Sequence, residues 1–292
     1  MAGVRLEFAQ FGHFDYFNIY RNSVSTAIEN LEQPIGTLST MYYEDLTIEP
    51  NNDYYYRIGV IRDSIEEFSE EIYIRAADRD EYFSNVVMIS NMSDAVSGSL
   101  INDVKEHIFT LRTGSAAIVD DPNAYDSKAL FIDGGVQSAS SSDWNFDGKF
   151  TIETRFKFAS HQMYGGILCC ASDVSAWLGW NIIFDNTSNN LRVEINQTYS
   201  LVSSISLLTS TYYDICLERD ENNLVRLYVN GAVVASGMYV GAINTAGSPL
   251  LLGIERTFAY KTVATYDAVR ITKGVARYVG AYTPTQKPYF EF

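Results

Sequence analysis

Two carboxylates held at a set separation across a sugar ring can cleave a glycosidic bond. A strand reading Glu-x-Asp-x-x-Glu would supply such a set, and the sequence contains no such string. Glu153 stands alone between Ile152 and Thr154, where a strand carboxylate would face solvent or an arginine. The histidines are His13, His107 and His161, and no Gly-x-Ser-x-Gly elbow accompanies them, so a hydrolase of the nucleophile-elbow type has no support. Cys169, Cys170 and Cys216 include no Cys-x-x-Cys pair for zinc. An odd cysteine count argues against a disulfide framework, and the expectation is reduced, buried thiols. We therefore expect no enzyme.

Binding chemistry leaves more to examine. Sugars stack their apolar faces on aromatic rings beside a few fixed polar groups. Trp177, in the loop-like run Ser172–Gly179, is the best candidate for an exposed aromatic, whereas Trp144 and Trp180 read as packing residues. Asp173, Asp185 and Asn186 lie at loop positions and complete the expected ligand-binding set with Trp177. Together with Asp220 they are also the oxygen donors that calcium would need, so calcium is the one cofactor left open; no metal ligand is assigned. For each acid, a solvated loop side chain is the plainer reading.

Charge narrows the partners. The 292 residues carry 21 Lys and Arg against 36 Asp and Glu, a net charge of −15. Nucleic acid and anionic membrane surfaces are disfavoured, because both need clustered basic residues. No apolar run approaches the roughly 20 residues of a membrane span, so no membrane insertion is expected. Met1–Glu7 lacks the basic-then-apolar pattern of a secretory signal. The 21 tyrosines suit protein interfaces, since they add contact area at low entropic cost.

The elements that would position these residues are strands. In the first 77 residues, short β-forming runs alternate with turns: Val4–Gln10, the segment around Phe17 and Ile19, a strand at Leu38, and Tyr54–Arg62. Tyr54, Tyr56, Ile58 and Val60 share one face by the period of two. An acidic turn over Asp63–Glu67 and a last strand at Glu71–Arg75 follow. The runs Phe14–Asn22, Tyr42–Leu46 and Tyr54–Ile58 resemble the third and later strands of a fibronectin type III domain. That resemblance implies a two-sheet sandwich in which Tyr54 or Tyr56 pins a corner. It also implies that the family's first strand is missing, so the N-terminal sheet edge is expected to be an assembly contact. Residues 78–81 read as a charged linker.

From residue 82 to 292, about a dozen short strands with little helical periodicity indicate a large antiparallel sandwich. They include Val86–Ser90, Phe109–Gly114, Phe150–Phe158, Trp180–Asp185, Leu191–Asn196 and Ala264–Thr272. Asn230-Gly231 joins Leu224–Val229 to Val233–Gly237 as a type I′ hairpin. Ala129–Gly134, Asp147–Glu153, Leu224–Gly231 and Asp267–Tyr278 stand in the order found in laminin G-like, concanavalin A-type jelly rolls, which this segment resembles. The last string, the Pro284–Phe290 tail and the opening Tyr82–Met88 resemble the version carried by tailed-bacteriophage virion proteins. The fold class expected is all-β: a fibronectin type III-like sandwich (1–77) followed by a larger concanavalin A-like jelly roll (82–292).

That resemblance implies a structural protein of the virion tail or tail tip, made in the host cytoplasm. It would work as a homo-oligomer beside other tail proteins and display a lectin-like domain towards host-surface polysaccharide. Purely structural decoration of tail or capsid is the alternative, and a carbohydrate-processing accessory protein a third.

Overall fold

The computed structural model describes residues 3–49, 52–76 and 80–289. Pro50-Asn51 of the expected turn, Asp78-Arg79 of the expected linker and Phe290 of the tail lie outside the described residues. The chain divides into two compact units, one up to Glu81 and one from Tyr82.

The first unit is two small antiparallel sheets. β1 (Val4–Glu7) pairs β4 (Tyr42–Asp45). The second sheet runs β3 (Gly36–Leu38), β2 (Tyr16–Asn22), β5 (Asp53–Arg62), β6 (Ile65–Phe68), with β7 (Ile72–Arg75) also on β5. Val4, Leu6, Phe17, Ile19, Tyr56 and Ile58 alternate inward and form one core. The arrangement is consistent with a fibronectin type III-like sandwich. The segment expected as an acidic turn over Asp63–Glu67 is different: the turn is confined to Asp63 and Ser64, both at positive φ, and β6 begins at Ile65. Its alternation Ile65, Glu66, Glu67, Phe68 is too short to register as a strand, and pairing with Gly59–Arg62 supplies what the pattern lacks. Two tyrosines take distinct roles. The Tyr54 hydroxyl accepts a hydrogen bond from Glu49 N at 2.9 Å, a corner-type contact to the preceding turn. Buried Tyr56 donates to Asp45 Oδ2 at 2.9 Å.

The second unit holds 13 strands among the described residues. They are β8 (Val86–Ser90), β9 (Phe109–Asp120), β10 (Lys128–Ser140), β11 (Phe150–His161), β12 (Gly166–Ala171), β13 (Gly179–Phe184), β14 (Asn190–Ile195), β15 (Tyr199–Ser206), β16 (Tyr213–Arg219), β17 (Leu224–Val229), β18 (Ala232–Met238), β19 (Pro249–Leu252) and β20 (Thr262–Lys273). Antiparallel pairing runs β15-β14-β13-β12-β19-β10-β20-β11-β16-β17-β18. β10 is the corner. Leu130–Gly134 pair with β20, while Val136–Ser140 pair with β19. Gly134 makes the bend possible: its φ is 146°, and a Cβ there would stand 2.0 Å from Thr113 O.

Alternation then sorts the side chains. Phe150, Ile152, Phe156 and Phe158 of β11, Trp180, Ile182 and Phe184 of β13, and Leu191, Val193 and Ile195 of β14 enter one shared core with Trp144. Each buried Phe or Leu is worth about 1.5–3 kcal/mol. The intervening residues necessarily face outward, and this places Asn181, Ile183, Arg192 and Glu194 together on the outer face of β13 and β14. Cys170 joins the main core, Cys169 a small outer cluster, and all three thiols are free. Asn230 (φ 49°) and Gly231 (φ 78°) form the expected hairpin turn.

Candidate functional site

The outward residues of β13 and β14 form the floor of a cleft of about 230 Å³. Two loops wall it. In one, Ser172 and Leu178 close a turn by Ser172 N to Leu178 O at 3.0 Å, which folds Trp177 back onto the sheet. In the other, Glu255 caps its own turn. Its Oε1 accepts from Thr257 Oγ1 and from Ala259 N at 2.9 Å, and its Oε2 from Thr257 N at 2.8 Å. Arg256 latches the loops together. Its Nη1 donates to Ser172 O at 3.2 Å, and its guanidinium lies 5.0 Å from the Trp177 ring centroid.

Trp177 is thus at the cleft, but it is 5% exposed and not the exposed aromatic the sequence suggested. An indole face left in water would be unfavourable, and the guanidinium covers it by cation–π contact. The half-buried rings are Tyr164 and Tyr260, set at 70° with centroids 6.3 Å apart. Neither was singled out from sequence, because each sits in a loop without periodicity.

Arg192 crosses the floor. Its Nε donates to Asp185 Oδ1 at 2.7 Å and its Nη1 to Ser200 Oγ at 2.9 Å. Asp185 therefore serves the cleft indirectly, by neutralising and orienting Arg192. Asn186 is exposed at φ 53°, and its carbonyl accepts from Tyr164 N at 3.1 Å, which fixes that tyrosine's backbone. Asp173 is exposed on a neighbouring depression of about 460 Å³, lined also by Val174, Leu178 and Phe258. Asp220 is buried in an ion pair with Arg226 at 2.8 Å. Among the described residues no three His, Cys, Asp or Glu side chains converge as a metal site.

Glu194 and Glu255 both line the cleft. Burial pushes the Glu194 carboxyl up; Arg192 and Arg256 oppose that, and Glu255 adds to it. Glu255 accepts four hydrogen bonds within its own loop, which hold its carboxylate in that turn. What the cleft offers is aromatic walls, a covered indole and polar groups on its floor.

A second cavity, of about 190 Å³, lies under residues 278–289 on the opposite sheet. Its charged groups are all in ion pairs: Glu153 with Arg270 inside the cavity, and Asp214 with Arg155 beside it.

Residues 132–276 match the laminin G-type model of the concanavalin A-like lectin/glucanases superfamily. Among solved structures, the chain is similar to domain 4 of AbnA, a GH43 extracellular arabinanase from Geobacillus stearothermophilus in complex with arabinotriose. The TM-score is 0.51 at 14% identity, over 67% of this chain and 95% of that one. It is also similar to the binding domain of Paraclostridial Mosquitocidal Protein 1 (TM-score 0.49, 17% identity, 72% of this chain), of which it spans about half, 51%. A third similarity is to the Ruminococcus gnavus IT-sialidase CBM40 bound to alpha2,3 sialyllactose, with a TM-score of 0.40 and 14% identity over 49% of this chain and 89% of that one. No curated protein matches. Taken with the strand order and the corner at β10, the family match makes the unit from Tyr82 onward a concanavalin A-like jelly roll.

Proposed function

We propose that this chain is a tail or tail-tip protein of a bacteriophage virion whose jelly roll binds glycan on the host surface. The observation that carries the binding half is the cleft over β13 and β14. There Tyr164 and Tyr260 offer half-open aromatic faces beside Asn181, Arg192 and Arg256, the mixture by which proteins hold sugars. In AbnA, a domain of this fold was solved with arabinotriose. The virion half rests on the Asp267–Tyr278 string and the Tyr82–Met88 opening. In this reading the fibronectin-like unit is a spacer that docks on other tail proteins. Homo-oligomers add avidity to single sites that bind weakly.

The test is binding of the fluorescently labelled full chain to cells of candidate hosts before and after removal of surface polysaccharide, with immunogold microscopy of virions. Saturable binding that polysaccharide removal abolishes, with label on tails, supports the reading. No binding to any host, or no label on particles, defeats it.

A purely structural role is favoured by one observation. β9 is a 12-residue strand, mostly exposed, that among the described residues pairs with β10 alone. Such an edge suits lateral packing in an assembly.

A further inference from the structure

The Ser172–Leu178 loop divides two depressions. Trp177 lines the cleft over β13 and β14, whereas Ser172, Val174 and Leu178 line its neighbour of about 460 Å³. Arg256 lines both, so its guanidinium and the indole it covers stand as the partition. The neighbouring depression is walled mainly by Val174, Leu178, Pro249, Leu251 and Phe258. Val174 and Leu178 are 55% and 42% exposed, apolar surface that the fold of the loop leaves in water. Phe258 is held in the wall by the Arg112 guanidinium, 4.1 Å from its ring centroid. An apolar hollow of this size beside a few polar groups has the form of a small-ligand site.

Arg256 supplies the polar group. Its Nη1 donates to Ser172 O, while among the described residues it makes no ion pair and its Nε and Nη2 have no hydrogen-bond partner. Charged N–H donors therefore stand at the partition, next to the apolar hollow, and gain from any acceptor that reaches them. A carbonyl oxygen followed by a methyl group answers both features. The oxygen accepts from Arg256, and the methyl leaves water among Val174, Leu178 and Phe258.

Charge favours a neutral acceptor over an anionic one. Around the two depressions the guanidinium groups of Arg192 and Arg256 are outnumbered by the carboxylates of Asp173, Asp185, Glu194 and Glu255. A carboxylate substituent would find no surplus of positive charge there and would lose its hydration against apolar walls. We infer that the depression beside the cleft is an acetyl-binding subsite: the ligand is an acetylated saccharide whose ring lies against Tyr164 and Tyr260 and whose acetyl group passes Arg256 to lodge against Val174, Leu178 and Phe258. This rests on the glycan-binding reading above and names the ligand class within it.

The experiment measures the affinity of the full chain and its Leu178→Asn and Val174→Asn variants for matched saccharides. One pair is N-acetylglucosamine oligomers against glucose oligomers of the same linkage and length. The other is O-acetylated mannan fragments against the same fragments after mild alkali. The first pair reads an amide-linked acetyl group and the second an ester-linked one; uronate oligomers are the anionic arm. A methyl group taken out of water contributes about fourfold, and a hydrogen bond to a charged donor adds to it. The acetylated member of one pair should therefore bind at least about tenfold more tightly than its partner. That ratio should fall towards one in Leu178→Asn and Val174→Asn. As a ratio it does not depend on how much of either variant is folded. Equal affinity within both pairs would overturn the acetyl assignment and leave glycan binding standing, and so would tighter binding of the uronate oligomers. An acetyl preference undiminished in both variants would overturn the placement of the subsite. Failure of every saccharide would overturn both readings.

Discussion

Arg270 grips Glu153 with two parallel hydrogen bonds, Nε to Oε2 at 2.7 Å and Nη2 to Oε1 at 2.8 Å, across adjacent strands β20 and β11. Both side chains are buried, and the Tyr278 hydroxyl also donates to Glu153 Oε1. Burial opposes the carboxylate charge, but Arg270 and Arg277 outweigh it and hold its pKa below the ordinary value. Glu153→Gln leaves Arg270 buried without its counter-charge and should cost about 3–5 kcal/mol in urea unfolding. A lowered folded-state pKa gives stability that is complete above the unfolded value near 4.5 and lost as pH falls through the folded one. The native chain should therefore lose stability more steeply below pH 4.5 than Glu153→Gln does.

Gly231 ties the hairpin to the C-terminal segment. Its carbonyl accepts from Tyr282 N at 3.0 Å, and a Cβ at this glycine would stand 1.8 Å from Tyr282 O. Gly231→Ala should cost more than the ~1–2 kcal/mol of a left-handed alanine, because the segment must also move. Near-ultraviolet circular dichroism should register it, since Tyr278 and Tyr282 stack at 3.6 Å on this segment.

His107 lies between two carboxylates, Nδ1 2.6 Å from Asp103 Oδ2 and Nε2 3.0 Å from Asp143 Oδ2, with its ring 4.6 Å from Trp144. The Asp103 hydrogen bond is the main cause that raises its pKa; burial opposes it, and Asp143 adds to it. A raised value gives stability that is fully present below the unfolded pKa near 6.5 and lost as pH rises through the folded one. Thermal midpoints should fall over that window in the native chain and stay flatter in His107→Gln. A His107 NMR titration with its midpoint below 6.5 would contradict the double bridge.

The period of two carries most of what was legible. It gave the shared face of Tyr54, Tyr56, Ile58 and Val60 on β5, which packs into the first unit's core, because one buried face imposes alternation. β15 (Tyr199–Ser206) escaped it, since its run Ser203, Ser204, Ile205, Ser206 has no apolar alternation, and pairing with β14 makes it a strand. The binding residues divide the same way. Asn181, Arg192 and Glu194 could have been read as outward positions on alternating strands. Tyr164, Arg256 and Tyr260 could not, because loops from distant parts of the chain bring them to the cleft. Trp177 was found from its residue type, while its burial depends on Arg256, 79 positions later.

Calcium removal should leave glycan binding unchanged. Of the three candidate carboxylates, two are engaged by guanidinium groups, Asp185 by Arg192 and Asp220 by Arg226, and Asp173 lies apart from both. A cation would have to displace those partners before it gained its usual six to eight oxygens. Titration of the bound complex with a chelator is the measurement, and a loss of binding reversed by added calcium would refute the expectation.

Arg256 should govern both the shape of the cleft and the optical signature of Trp177. Its one hydrogen bond among the described residues runs to Ser172 O, and its other contact of note is the indole face. Arg256→Gln removes the cation–π contact, worth about 0.5–2 kcal/mol, and the latch between the two loops. Trp144 and Trp180 are buried in the core and unaffected, so any tryptophan newly open to acrylamide quenching in this variant is Trp177. Increased quenching together with weakened glycan binding is expected, and Trp177→Phe should abolish the extra quenching in the double variant. If Arg256→Gln leaves quenching unchanged, the loop around Ser172–Leu178 holds Trp177 down unaided, and Arg256 is not the latch of this cleft.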